Sequence, residues 1–165
     1  MSPEPDGGYP DGNTAEGHGA LFNLTTGQLN TAIGIDTLRR NLGGDSNTAI
    51  GASVLVGNIN GNRNTATGSV ALSRNTHKND NTANGFRALN FSEGNGNTAI
   101  GSRALENNFT GNSNIALGNE AGRNLNGGSS NIDIGNEGVA GEGSTFVLAV
   151  RARQEPLSPA SVARK

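Results

Sequence analysis

The chain has 165 residues, a formal net charge of −2, 26 glycines and no cysteine, and only 32% of its residues are apolar. This composition excludes disulfide bonds and thiolate metal sites, and no apolar run approaches the ~20 residues that span a membrane. The 12 basic and 14 acidic residues are interspersed, so the sequence predicts neither a nucleic-acid partner nor membrane insertion.

Residues 1–12 are predicted to form an irregular N-terminal segment, because they are rich in proline and glycine. They contain neither the basic region nor the apolar region of a secretory signal peptide. Such a segment is also poor material for capping the first unit of a repeat array, since caps of that kind need a polar outer face on an ordered unit.

From Asn13 onward the phrase NTAIG, or a close variant, recurs eight times at a spacing of 17 residues, with one spacing of 16. The copies begin at Asn13, Asn30, Asn47, Asn64, Asn81, Asn97, Asn114 and Asn131. A fixed period of this length is the signature of units that stack on their neighbours. The consensus is NTAIGxxALxxNxTGxx, and the short spacing falls in NFSEGNG after Leu89, where a loop absorbs a deletion.

Each repeat is predicted to contain a strand, a glycine bend, a second short strand and a loop. The first half alternates and contains Thr and Ile, which suits a strand, whereas the second half is rich in Asn and Gly, which suit turns. No window shows a strong helical period. The sequence therefore predicts an all-β fold, a parallel β-solenoid or β-roll of about eight 17-residue turns over residues 13–143.

Two positions of the repeat hold the same residue type in most or all copies, and we call each such set of equivalent residues a column. These two columns predict the backbone bend and the core. Glycine fills the fifth position in every copy and predicts either positive φ or a close backbone approach; these residues are Gly17, Gly34, Gly51, Gly68, Gly85, Gly101, Gly118 and Gly135. Leucine at the ninth position predicts a buried stripe, formed by Leu21, Leu38, Leu55, Leu72, Leu89 and Leu105. Gly122 interrupts this stripe, and the nearby Leu125 is a candidate replacement.

The asparagine that begins each repeat predicts a ladder of side-chain amides hydrogen-bonded along the stack, as in cross-β assemblies. An alternative and compatible interpretation is that each Asn only starts a strand after a turn. Alanine fills the third position in seven copies, and Asp133 is the exception. So uniform a column of small residues predicts a tightly packed face, and this face is also a candidate for close contact between chains.

Residues 144–165 are predicted to be a C-terminal strand and tail. The composition changes here, because TFVLAVRA is apolar and β-prone and is followed by the proline-containing EPLSPASVARK. The strand can fold over the last turn as a cap, or it can connect to the first turn of another molecule. Stacking of the second kind has no rotational closure and leads to filaments.

The phrase NTAIGxxAL, with its Gly- and Asn-rich return, resembles the 17-residue NTALG-type repeats of bacterial cell-surface and phage-tail-fibre-like proteins. It is also similar to the shorter SVAIG-type repeats in the heads of trimeric autotransporter adhesins. The resemblance covers roughly residues 12–143. It implies a left-handed roll shared by three chains, and a structural or adhesive fibre element that is extracellular or on the cell surface, of bacterial or phage origin, with a cell-surface or matrix ligand.

A homotrimer is also favoured by the thin core, which gains stability when copies share it. Two other functions stay open. One is a phage-tail-fibre-like receptor-binding module, and the other is an ice-binding solenoid. The latter would use the threonine row at the second position, namely Thr14, Thr31, Thr48, Thr65, Thr82 and Thr98.

No enzyme, cofactor or metal site is predicted. The two histidines, His18 and His77, occupy different positions in their repeats and match no metal-ligand pattern. The acidic residues of the loops do not repeat in the manner of calcium-binding rolls. The sequence thus favours a structural or binding role over catalysis.

Overall fold

The computed structural model describes residues 8–148, which form one ten-stranded sheet with the strands in chain order. The strands are β1 (Gly8–Tyr9), β2 (Asn13–Glu16), β3 (Thr31–Ile33), β4 (Thr48–Ile50), β5 (Thr65–Thr67), β6 (Thr82–Asn84), β7 (Thr98–Ile100), β8 (Ile115–Leu117), β9 (Ile132–Ile134) and β10 (Phe146–Leu148). From β2 to β10 every neighbouring pair is parallel. The predicted all-β parallel solenoid of about eight turns is confirmed, with no helix in residues 8–148.

Each repeat forms one turn of the solenoid, here called a rung, and equivalent residues lie directly above one another. Thr31 pairs with Thr48, and Ala32 pairs with Ala49. This register follows from the sequence period, because a repeat of constant length brings the same residue type to the same place on every rung.

Each rung contains one strand, so the prediction of a second short strand in each repeat was wrong. The leucines of the ninth position have φ between 48° and 50°, and this left-handed conformation turns the chain where a strand would extend it. Hydrogen bonds between rungs nevertheless continue through these turns. The amide of Leu21 donates to Thr37 O at 3.1 Å, and the amide of Leu38 donates to Val54 O at 3.0 Å. The rung therefore closes through turns that bond to the next rung.

The core is a narrow layer of small and branched residues between the strands and these turns. All six leucines of the ninth position are at most 1% exposed, and Leu125 fills the core beside Gly122. The alanines of the third position face this layer and are almost completely buried inside the chain. The expectation that the alanine column could line a contact between chains was therefore wrong, because in a strand the first and third residues share one face and here that face points inward.

The glycines of the fifth position combine positive φ with a close approach to the backbone of the next rung, the two alternatives that the sequence left open. Seven of them have φ between 103° and 140°, and Gly135 has φ of 63°. A Cβ atom on Gly68 would lie 2.8 Å from the carbonyl carbon of Gly85 on the next rung. The bend after each strand therefore needs a residue without a side chain.

The two ends of the sheet differ. At the N-terminal end β1 is antiparallel to β2, with Tyr9 opposite Asn13, so residues 8–9 form a strand within the segment that was predicted to be irregular. At the C-terminal end β10 adds a ninth rung in parallel to β9. Residues 1–7 and 149–165, which include most of the predicted tail, lie outside the described residues.

Candidate functional surface

The asparagines that begin the repeats form a buried hydrogen-bonded column, and all eight are at most 3% exposed. At every step the backbone amide of one Asn donates to Oδ1 of the Asn on the preceding rung. The Nδ2 of Asn47 donates to Asn30 Oδ1 at 3.0 Å and to the Gly61 carbonyl at 2.8 Å. The Oδ1 of Asn47 accepts from the backbone amide and Nδ2 of Asn64, so protein groups satisfy the whole buried side chain.

A second buried column was missed, although its signal is the Asn at the twelfth position of the consensus. It contains Asn41, Asn58, Asn75 and Asn108. The Nδ2 of Asn58 donates to Asn41 Oδ1 at 2.8 Å. Both columns converge on one carbonyl, since Gly44 O accepts from Asn30 Nδ2 and Asn41 Nδ2, each at 2.8 Å. These columns stabilise the rungs and leave no reactive group exposed.

The outward face of the sheet, which we call the sheet face, carries the residues at the second and fourth positions of each repeat. Its second row is threonine from β2 to β7, and its fourth row is mainly Ile or Leu. From β8 to β10 both rows are apolar, and Ile100 of β7 extends the apolar surface along the fourth row. The exposed members there are Ile100, Ile115, Leu117, Phe146 and Leu148, each between 36% and 66% exposed. A contiguous apolar surface of this kind marks a site of association.

A cluster of ion pairs occupies another side of the solenoid. Glu106 is 5% exposed, and its carboxylate lies 3.1 Å from Arg87 Nε and 3.5 Å from Arg123 Nε. Glu120 bridges Arg123 and Arg103. Both carboxylate oxygens of Glu106 are thus engaged by arginines of the two adjacent rungs. We therefore assign this cluster a structural role.

Asp133 is the one residue of the third position that is not alanine, and it is fully buried. Neither carboxylate oxygen has a hydrogen-bond partner among the described residues. Burial raises the pKa of Asp133 above its ordinary value of 3.8, and the nearby charge of Glu142 raises it further. The C-terminal rungs therefore contain a buried acid that costs stability when it is charged.

Replacing Asp133 by asparagine is expected to stabilise the protein at neutral pH. Because the pKa in the folded state is raised, folding disfavours the charged carboxylate, and stability falls as the pH rises above about 3.8 through the folded pKa. The melting temperature of Asp133→Asn should thus exceed that of the wild type at pH 7, and the difference should vanish near pH 3. Asp80→Asn is the control, because Arg63 lowers the pKa of Asp80. Equal stabilisation by both variants would contradict this assignment.

The described residues contain no group of three or more Asp, Glu or His side chains that could hold a metal ion. The exposed His18 and His77 are on different rungs and different repeat positions. None of residues 8–148 forms a helix long and apolar enough to cross a membrane. No protein family, curated protein or solved structure matches the chain.

Proposed function

We propose that this chain is a structural and adhesive fibre element that associates with two copies of itself through the sheet face. It acts outside the cell or at its surface, in a bacterium or a phage, and has no catalytic step. One observation carries the proposal: the apolar part of the sheet face, from β7 to β10, exposes large side chains that the thin core of a single chain does not cover.

The exposure of this surface favours association for a simple reason. Phe146 is 66% exposed and Leu148 is 50% exposed. Full burial of such a side chain contributes about 1.5–3 kcal/mol, and much of this free energy is still to be gained when another chain covers the surface. Charged residues, which keep monomers apart, are missing from the outward-facing second and fourth repeat positions on the rungs of β7, β8, β9 and β10. The resemblance to three-chain rolls favours three copies, and the left-handed coil stays a prediction of the same resemblance.

Filaments are a further step of the proposal, and they involve the ends of the sheet. The outer edge of β10 has no strand partner within residues 8–148, and such an edge can pair with another copy. At the opposite end β1 covers β2 over two residues, so pairing in parallel there requires β1 to move. We therefore propose the trimer as the basic unit and filaments as assemblies of trimers.

Ile100→Glu is expected to reduce the mass in solution from about three chains to one. Ile100 is 45% exposed, so a carboxylate tolerated in the monomer would be buried without a partner in the assembly, which costs several kcal/mol. Light scattering should give about three times 16.7 kDa for the wild type and one chain mass for the variant, with unchanged circular dichroism. Electron microscopy of the wild type should show rods or filaments.

Leu42→Glu is the matched control, because Leu42 is 41% exposed but belongs to a different side of the rung. This variant should keep the mass of the wild type. A stable wild-type monomer, or an equal loss of mass in both variants, would overturn the proposal.

The outward threonine row supports a second candidate, ice binding, since Thr31, Thr48, Thr65, Thr82 and Thr98 stack in register on the sheet face. A face buried between chains cannot contact ice, so the two functions exclude each other. Thermal hysteresis by a monomeric protein would favour ice binding, whereas a trimer without hysteresis would favour the fibre element.

A further inference from the structure

We infer that a strip along the solenoid, formed by Arg40, Arg74, Phe91, Phe109 and Asn124 and here called the arginine–aromatic strip, binds an anionic polysaccharide. The inference rests on the proposed adhesive function and names its class of ligand. The strip lies at the eleventh and thirteenth positions of the repeat, away from the sheet face. Association through the sheet face therefore leaves it accessible.

The arginines of the described chain are concentrated on this side. Six of the seven occupy the seventh, tenth or eleventh repeat position, namely Arg39, Arg40, Arg74, Arg87, Arg103 and Arg123. Four of them pair with acidic side chains. Arg40 and Arg74 are exposed and have no ion pair within residues 8–148. These two guanidinium groups are free to bind a carboxylate or sulfate in a bidentate manner.

A groove of about 470 Å³ separates these two arginines. Gly57, which holds the eleventh position between them, has no side chain to fill it, and Val56 gives the groove an apolar wall. Glu93 also lines the groove and accepts a hydrogen bond from Thr76. Its negative charge repels other anions and therefore disfavours a ligand of dense negative charge.

An aromatic platform continues the strip. The guanidinium carbon of Arg74 lies 4.6 Å from the ring centroid of Phe91, a cation–π contact that orients the arginine. The rings of Phe91 and Phe109 are 6.1 Å apart. Phe109 is 48% exposed, and an exposed ring of this kind can pack against the apolar face of a sugar.

Beyond the platform Phe109 lines a second groove of about 610 Å³, together with Asn124 and Asn126. Exposed amides beside an aromatic ring can donate to and accept from sugar hydroxyls. The strip thus offers charge, an apolar platform and amides in sequence along the axis. From the rung of Arg40 to that of Asn124 it extends for about 24 Å at ~4.8 Å per rung, which suits a linear polymer.

Charge spacing favours a polysaccharide over a nucleic acid. Arg40 and Arg74 lie two rungs apart, which is roughly 10 Å along the axis. A nucleic-acid strand carries one charge per about 3.4 Å, and its phosphates would be repelled by Glu93, which lines the same groove on the rung after that of Arg74. A polysaccharide with charge on only some of its sugars fits the sparser pattern.

The test measures binding of the full chain to three immobilised polymers: hyaluronan, κ-carrageenan and neutral dextran. The first two carry one carboxylate or one sulfate on every second sugar. We expect binding to at least one of the two anionic polymers and none to dextran. Hyaluronan alone identifies a carboxylate ligand, and κ-carrageenan alone identifies a sulfated one. Arg74→Gln and Phe91→Ala should each weaken binding about tenfold or more, because a charged hydrogen bond or a stacked ring is lost.

Arg63→Gln is the matched control, since it removes the same charge from an exposed arginine at another repeat position, paired with Asp80. It should change the affinity less than twofold. Absence of binding to both anionic polymers, equal weakening by Arg63→Gln and Arg74→Gln, or tighter binding to single-stranded DNA would each overturn the inference. Light scattering on the same samples distinguishes failure of this inference from failure of the proposed function. A trimer that binds no polymer would contradict the polysaccharide ligand and leave the proposed association through the sheet face intact.

Discussion

Gly101→Ala is expected to lower the free energy of unfolding by about 4 kcal/mol or more, a loss in the range that only severe core defects reach. Gly101 has φ of 138°, a conformation that strains any residue with a side chain. The added methyl would also press on the carbonyl group of Gly118, whose carbon would lie 2.5 Å away. That carbonyl belongs to the backbone of the next rung and cannot move without shifting the whole rung.

The expected damage is large because rungs are stabilised by their neighbours. In a repeat array each unit contacts only the adjacent units, so one displaced rung weakens the interfaces on both sides. Since typical domains have a total stability of about 5–15 kcal/mol, such a loss removes roughly a quarter of it or more. Thermal unfolding followed by circular dichroism should show a fall in melting temperature of about 10 °C or more.

Gly96→Ala separates backbone strain from steric overlap. Gly96 also has positive φ, at 66°, but its nearest contact to an added Cβ is Ser113 Oγ at 3.7 Å. Other repeats carry Ser46 and Arg63 at this position with positive φ, so the backbone tolerates side chains there. This variant should lose no more than about 1–2 kcal/mol. Equal effects at Gly96 and Gly101 would show that close approach between rungs is not what requires glycine.

The period of the sequence predicted the architecture because a strict repeat has few ways to bury its small apolar content. It did not predict the conformation of the leucines. Leu38 has φ of 49°, and leucine ordinarily avoids this region at a cost of roughly 1–2 kcal/mol. Here full burial of the side chain offsets that cost. A local propensity argument cannot anticipate this, since the gain comes from neighbouring rungs.

The direction of the side chains was equally hard to predict. A usual binary pattern would place Ile inside and Asn outside, yet Asn30 is fully buried and Ile33 is 40% exposed. The inversion is possible because each buried amide bonds to the amides and carbonyls of adjacent rungs. A single repeat read in isolation contains no partner for its Asn, so only the stacked register makes the burial favourable.

The arginine–aromatic strip could not be predicted from the repeat at all. Its residues occupy positions that vary from rung to rung, where Arg74 is followed by Phe91 and then by Asn107. The constant columns determine the scaffold, while the variable positions determine what the surface can bind. A candidate binding surface of this kind is found only when the register places variable residues side by side.

Asn47→Ala is the second substitution expected to have a large effect, with a loss of about 3 kcal/mol or more. It would leave the amide of Asn64 without its acceptor, now at 3.0 Å, in a completely buried site. An unsatisfied buried donor costs about 1–3 kcal/mol, and the cavity left by the missing amide adds to this. The carbonyl of Gly61 keeps one partner, Asn58 Nδ2 at 3.0 Å, so the loss should stay below that of Gly101→Ala.

Asn47→Asp and Asn60→Ala identify which property of the side chain matters. The aspartate has the shape of Asn47 and can accept from Asn64, but it cannot donate to Asn30 or Gly61, and it would bury a charge. We expect it to be at least as destabilising as alanine at neutral pH and to recover stability as the pH is lowered. Asn60 is exposed, and its truncation should change stability by no more than about 0.5 kcal/mol. If Asn47→Ala proved as mild as Asn60→Ala, the buried amide column would merely fill space and the rungs would be held by backbone bonds alone.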